Sequence, residues 1–469
     1  MEFVQHITLF FESINTFLYT YLLVFMLIAC GIYFSIRTRF IQFRFLPQVL
    51  KILREKSHEE HVSPFGALMI STASRVGIGN IVGVAFAMSV GGVGALFWMW
   101  VTALLGGASA FVESTLAQVY KRKDGAYNYK GGPAYYIQSA LGSRSFGIVF
   151  AISLIACFTY GFNGLQAYTL TSVFEIYIGQ DSFQNGYFRI FLGILLAILV
   201  VGFFYGKNKS SAFIASTLVP VMAIGYFGVA AFVIITHFAE LPRVFMHIFE
   251  QAFDFEAMFG GFAGSAMVIG IKRGLFSNEA GMGSAPNAAA AAHTTHPAKQ
   301  GMVQTLSVFI DTLIICTATA LVVLCSQENL QELKGMAIMQ KVMQGYLGEF
   351  GLHFVSVAVT LFAFTSLIGN FFYAQINFKF ITDNKIALNI FRASAVLMVF
   401  VGTQIGFDLA WELADIFMGI MAIINIVAIV LLGNIALRVL RDYEMQRKAG
   451  KDPHFKASSV GITNAECWK

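Results

Sequence analysis

Long apolar runs, each about 20 residues, recur along this chain and are separated by short polar segments. A run of that length crosses the hydrocarbon core of a bilayer as an α-helix. The pattern predicts eleven spans, at about 17–36, 63–90, 94–119, 145–178, 187–205, 211–236, 257–283, 301–325, 350–378, 386–404 and 410–437. Two of them are interrupted. Between Ile70 and Gly83 the second run holds Arg75, Gly77, Gly79 and Asn80. Between Gly270 and Pro286 the seventh holds Lys272, Arg273 and Glu279 among glycines. A charge at the bilayer centre costs roughly 2.5–3.5 kcal/mol on insertion scales. Broken backbone is tolerated at that depth only where it lines a protein cavity. Both stretches are therefore predicted to be discontinuous helices around a polar site.

The two interruptions lie five spans apart. A five-span unit repeated once must insert with opposite topology, because five is odd. Interrupted spans at matching places in two halves point to an inverted-repeat transporter with its site at the breaks. The expected organisation is an N-terminal helix and basic loop over 1–60, a first five-helix repeat over 61–236, a connector over 237–256, a second repeat over 257–437 and a tail over 438–469. Close helix packing explains Gly106, Gly107, Gly260 and Gly261, but not the buried charges. Half-helix N-termini offer free N–H groups that suit a carboxylate, and unwound carbonyls suit a cation. Both at one place favour a zwitterion bound beside a metal ion.

Charge fixes the expected orientation. Of the Lys and Arg residues in the loops and at the span ends, twenty-three fall on one side, in loops such as 37–56, 121–144 and 438–469, against Arg189, Arg243, Lys334 and Lys341 on the other. The positive-inside rule makes the first side cytoplasmic, with the N-terminus outside and the C-terminus inside. The net charge of +5 thus follows topology and is no nucleic-acid signal. The first residues read as the start of a span, not as a cleaved signal. Segments 237–256 and 326–349 are expected outside, the latter with a short amphipathic helix. The tail is expected to be disordered beyond about Lys451.

Composition narrows the class. Hydrophobic residues are 57% and charged residues 12%, against about 25% charged in a soluble domain. The five cysteines form no CxxC pair and read as lone thiols. His58-Glu59-Glu60-His61 is not an HExxH metal motif. No G-x-S-x-G elbow or Walker A sequence is present, so an enzyme is not expected. A channel would need a continuous polar pore, whereas the polar groups cluster at two breaks. A receptor without transport finds no attached soluble domain in its favour.

Four stretches carry a family resemblance: VGIGNIVGVA at 76–85, GGVGALFWMWVTALLG at 91–106, KGGPAYYI at 130–137 and KRGLFSNEAGMGSAPNAAAAA at 272–292. Together the chain resembles the alanine or glycine:cation symporter family, the sodium:alanine symporters, over about residues 15–445. The resemblance implies an all-α polytopic protein of about eleven transmembrane helices. Its core is a five-plus-five inverted repeat with discontinuous helices, preceded by one extra helix. The implied function is import of a small neutral amino acid, alanine or glycine, coupled to Na⁺ by alternating access in the cytoplasmic (inner) membrane. H⁺ coupling or a glutamine preference is the alternative. The oligomeric state is left open. Ile78, Val93, Asn370 and Gln375 depart from the residues common in the family, and Ile78 and Asn370 lie near the expected site.

The resemblance also assigns roles. Gly77, Gly79, Asn80, Gln166, Phe276, Ser277 and Asn370 are expected on the substrate. Its carboxylate would meet the N–H groups near Gly79 and Asn80, and its ammonium the carbonyls near Ser74 and Phe276. Gln166, on one helix face with Asn163, has an interhelical hydrogen bond as its alternative role. For Na⁺ the fold suggests the carbonyls of Ala73, Val76 and Phe362 with the hydroxyls of Thr365 and Ser366. The two hydroxyls have their own helix backbone as the alternative partner. Arg75, Glu113, Arg273, Glu279 and Asp311 are expected in ion pairs that gate or brace the breaks, Glu279 with a basic residue at a break.

Overall fold

In the computed structural model the described residues are 2–55, 61–125, 128–179, 183, 187–205, 208–254, 261, 264–326, 328 and 333–469, with backbone alone for 2–5 and 208–220. They are overwhelmingly helical. Helix α1 runs through Glu2–Phe17, Leu18–Leu23 and Val24–Arg37 without interruption. The first predicted span thus begins earlier than its apolar run, because Glu2 and Glu12 sit on a helix continuous with it. The second span is a pair, α2 (Pro64–Arg75) and α3 (Gly79–Gly91), bent by 56°. Then come α4 (Ala95–Val119), a small hairpin of β1 (Arg122–Lys123) and β2 (Tyr129–Lys130), and α5 (Pro133–Leu141). They are followed by α6 (Arg144–Ile178), α7 (Phe188–Phe204) and α8 (Asn208–Thr236).

Helix α9 (Leu241–Ala252) lies across the end of α8, at 70° to it, in the connector expected outside. The start of the seventh predicted span, 257–260, lies outside the described residues, as do 58–60 of the His-Glu-Glu-His run. Its described part is α10 (Ala266–Asn278) and α11 (Ala285–Ala291). The remaining helices are α12 (Pro297–Leu324), α13 (Met336–Ile381), α14 (Lys385–Gln404) and α15 (Phe407–Lys448). Gly348, at φ 60, kinks α13. The helix expected within 326–349 is therefore the first part of α13, and the ninth span its continuation.

The broken pairs pack head to tail. α2 contacts α11, and α3 contacts α10. Two discontinuous helices meet in this way only if they run antiparallel. The basic loops share one face: Arg44 pairs with Glu444 at 2.5 Å, Lys299 with Glu55 at 2.7 Å, and Arg144 donates to the Ile381 carbonyl at 3.3 Å. Arg189 and Lys334 sit at the opposite face, against the Ile405 carbonyl and Asp408.

The tail is ordered, contrary to the sequence expectation. Phe455, Ile462 and Trp468 follow no helical or strand period, so nothing in the sequence announces burial, yet all three are buried. The Phe455 N–H donates to the Thr295 carbonyl at 3.0 Å, and the Trp468 indole to the Gln118 carbonyl at 2.7 Å. Asp452 lies 3.1 Å from the buried Lys299 ammonium, which needs more than one oxygen to offset its desolvation. The tail therefore straps the start of α12 to the end of α4.

Candidate substrate and ion site

The site grows from the two breaks. α2 ends at Arg75, and Val76 turns the chain at ψ 97 before α3 begins. This leaves the last carbonyls of α2 without helical partners. α10 ends at Glu279, which takes the left-handed conformation at φ 53. The turn through Gly281 and Gly283, both at positive φ, leads into α11. Three π-helical segments adjoin this region: Gly79–Gly83, Ala156–Phe162 and Ile310–Cys316. Such bulges favour functional positions. Here they carry Asn80 and Asp311 and lead directly into Asn163.

The glycines permit close approach. A Cβ on Gly79 would lie 2.8 Å from the Phe276 ring, and one on Gly77 2.5 Å from the Ser366 hydroxyl. Phe276 in turn lies against Phe162 at 4.8 Å and Trp411 at 5.1 Å between ring centroids. Around these breaks stand buried polar atoms with no protein hydrogen-bond partner among the described residues, including Gln166 Oε1, Asn163 Nδ2, Ser366 Oγ and the guanidinium nitrogens of Arg75. Asn370 donates to Asn163 Oδ1 at 3.0 Å and accepts from Ser74 at 3.2 Å. The structure thus brings Gly77, Gly79, Gln166, Phe276, Ser366 and Asn370 to one place.

The Asn80 side chain binds protein groups. Its Oδ1 accepts from the Gly77 N–H at 3.1 Å, and its Nδ2 donates to Asp311 Oδ1 at 2.7 Å and Ser277 Oγ at 3.0 Å. Ser277 donates to Asp311 Oδ2 at 2.5 Å and Thr312 to the same oxygen at 3.1 Å. Asp311 therefore gathers oxygen-bearing groups from both broken helices. Among the described residues it has no basic partner within 4 Å, which corrects the ion-pair expectation for it. Glu113 is corrected likewise: it accepts from the Gly281 N–H at 3.2 Å and the Asn425 amide at 2.7 Å. Hydrogen bonds from neutral donors contact both carboxylates directly, and Arg75 acts on each from beyond 4 Å.

The other three expected charges are paired. Arg75 Nε lies 3.9 Å from Glu279 Oε2, and Glu279 also accepts from Ser284 at 2.5 Å and Ser74 at 3.5 Å. Arg273 meets Asp415 at 2.6 Å, on the same oxygen that Lys272 reaches at 2.6 Å. The Arg273 guanidinium lies 4.2 Å from the Trp411 ring centroid. Sequence reasoning missed Asp415 and Trp411. Both lie on α15, far along the chain from α10, and the cluster of Asp408, Glu412 and Asp415 near the start of a long span was the available signal.

Of the residues expected on Na⁺, the Thr365 hydroxyl donates to the Phe362 carbonyl at 3.0 Å, so these two serve each other within α13. Ala73 and Val76 are buried where α2 and the break pack on α13; Gly369 of α13 lies against Ser74. Of the departures from the family pattern, Val93 donates its N–H to Gln251 at 2.8 Å, a bond that a proline lacks. Gln375 accepts from Arg392 at 3.1 Å.

The sequence as a whole matches the model of the sodium:alanine symporter family over residues 4–457. The chain belongs to that family. It is 46% identical over 466 residues to the amino-acid carrier protein AlsT of Bacillus subtilis, covering 98% of each chain. It is 42% identical to the probable sodium/glutamine symporter GlnT of the same organism, covering 97% of this chain and 94% of the relative. The sodium/alanine symporter AgcS of Methanococcus maripaludis is 32% identical, with coverage of 96% and 99%. In structure the chain resembles MhsT in complex with L-phenylalanine, with a TM-score of 0.56 at 13% identity over 82% of this chain and 99% of that one. That likeness speaks to the fold. This symporter is thus a multi-pass membrane transporter of amino acids and not an enzyme.

Proposed function

We propose that this symporter imports a small neutral amino acid, alanine or glycine, together with Na⁺ by alternating access, with the basic face towards the cytoplasm. One observation carries the reading: two antiparallel breaks meet, with buried polar atoms of Gln166, Asn163 and Ser366 between them that have no hydrogen-bond partner among the described residues. Gly77 and Gly79 leave no room for a side chain of their own, and Phe276 with Trp411 forms an aromatic wall. That enclosure favours a small side chain over glutamine. The substrate carboxylate would take N–H groups at the start of α3, and its ammonium the last carbonyls of α2.

For the coupled cation two oxygen sets are proposed. One is the expected set on α2 and α13, with Ser366 Oγ as its open hydroxyl. The other is Asp311 with Ser277 and Thr312. Asp311, with no basic group within 4 Å among the described residues, also supports a second reading in which H⁺ is carried in place of Na⁺. One Na⁺ entering down roughly 150 mV gains about 3.5 kcal/mol. A tenfold gradient adds about 1.4 kcal/mol, enough with the potential for on the order of 10³-fold accumulation.

Equilibrium binding tests the coupling. Na⁺ should raise the affinity for alanine, and alanine should raise the affinity for Na⁺ by the same factor. Asp311→Asn should reduce that factor. Alanine binding that is indifferent to Na⁺ and to pH would sink both readings.

A further inference from the structure

On the basic face, away from the breaks, four cationic side chains line one cavity of about 380 Å³: Arg122, Lys130, Arg144 and Lys379. They come from three separate places, the hairpin, the start of α6 and the end of α13. The positive-inside bias explains why each lies on this face. It does not explain why they converge, since like charges at close quarters repel.

Neutralisation within the protein is incomplete. Arg122 donates to the Ser139 hydroxyl at 3.3 Å. Arg144 donates to the Phe380 and Ile381 carbonyls at 3.4 and 3.3 Å. Lys130 pairs with Asp124 at 3.3 Å. Lys379 has no hydrogen bond or ion pair among the described residues. Asp383 is the carboxylate in the cavity wall, and Thr382 adds a hydroxyl. Four positive groups against Asp383 and Asp124 leave an excess of two.

We propose that this cavity binds a phosphate group, either the headgroup of an anionic lipid or a free phosphate. The chemistry fits in three respects. Guanidinium forks match phosphate oxygens, and two of the four cations are arginines. Basic pockets at the cytoplasmic ends of membrane helices suit phospholipid headgroups. The excess charge suits an anion of one or two charges better than a long acidic peptide, which the cavity is too small to enclose.

The position gives the site a consequence. α6 begins at Arg144 and continues to Asn163 and Gln166, and α13 carries Ser366 and Asn370 before it reaches Lys379. A bound phosphate would brace the basic-face ends of the two helices that carry these polar groups.

The test uses the purified full-length protein. Its thermal unfolding is followed in detergent with sodium phosphate or sodium chloride at matched ionic strength. The same is done in vesicles of phosphatidylcholine with or without phosphatidylglycerol. A midpoint raised by phosphatidylglycerol alone assigns a lipid headgroup, and one raised by phosphate as well assigns a free anion. The shift should shrink in Lys379→Gln, disappear in Arg122→Gln/Lys379→Gln and persist in Lys123→Gln, whose exposed side chain lies on the same hairpin outside the cavity. Size exclusion checks that each variant is folded, and Lys379→Gln, which removes no observed protein contact, keeps the test decisive if the double variant is not. The proposal is overturned if neither probe shifts the midpoint, if the shift is undiminished in Lys379→Gln, or if only an acidic polypeptide such as polyglutamate produces one.

Discussion

Arg75 and Glu279 come from the two broken helices and meet where those helices cross, Nε to Oε2 at 3.9 Å, with both side chains out of solvent. Each sits at the C-terminal end of its half-helix, so each break supplies one charge to a shared pair. Removing one partner of a buried pair leaves an uncompensated charge and costs about 3–5 kcal/mol. Arg75→Gln and Glu279→Gln should each lower the thermal midpoint and reduce amino-acid uptake at least tenfold. Arg75→Gln/Glu279→Gln should recover part of the stability. Thermal unfolding of the three variants checks this, and additive losses would show that the pair does not act as a unit.

The contact between Gly79 and Phe276 sets the size of the site. Gly79→Ala places a methyl 2.8 Å from the Phe276 ring and should abolish uptake, because overpacking of a tight interface costs about 1–3 kcal/mol. Adding Phe276→Ala should restore part of it. Phe276→Ala alone should weaken discrimination against larger neutral amino acids by roughly tenfold or more. Competition of labelled alanine uptake by leucine and methionine measures that change.

Most of the architecture was legible because a bilayer makes composition unusually informative. A charge or glycine inside an apolar run stands out, so both breaks and their five-span spacing could be read directly. Partners across the fold could not. Asp415 gives no local sign that it faces Lys272 and Arg273, and Asp311 gives none that an amide and hydroxyls are its nearest partners. The tail was misread for a related reason. Its charged and glycine-containing composition resembles a solvated segment, while its burial rests on a few aperiodic apolar residues whose complementary surface lies on other helices.

The docked tail predicts a local stability effect. Trp468→Ala removes a buried indole that bonds the Gln118 carbonyl and lies 4.9 Å from the Lys121 ammonium. Truncations of this kind cost about 3–5 kcal/mol in a core, and less where the remaining chain can collapse. Hydrogen exchange should quicken at 118–124 and 292–296 in the variant and stay unchanged at the breaks. Unchanged exchange at 292–296 would mean that the strap does not hold the start of α12.

The same face should respond to pH. Burial lowers the His296 pKa below 6.5, with Asp442 opposing the shift, and lowers Lys121 to about 7 from 10.5, with Cys467 opposing it. His296 Nδ1 accepts the Ala298 N–H at 3.2 Å and Nε2 faces Asp442, so the neutral ring caps α12. For both groups the opened state binds more protons than the closed one. Closure is therefore weakened as pH falls through 6.5, and it strengthens between about 7 and 10.5. Hydrogen exchange at 292–299, corrected for its intrinsic pH dependence, should show greater protection at pH 8.5 than at pH 5.5. His296→Ala should flatten the acidic part of that profile.

The central claim is that the two breaks form one site for an amino acid and its driving cation. Uptake of labelled L-alanine, D-alanine and glycine into proteoliposomes, under an imposed Na⁺ or H⁺ gradient, tests it most directly. The expected result is concentrative uptake of at least one of them that collapses with the gradient, is lost in Gly79→Ala and is altered in cation dependence by Asp311→Asn. Gradient-driven uptake that survives both substitutions unchanged would contradict the claim.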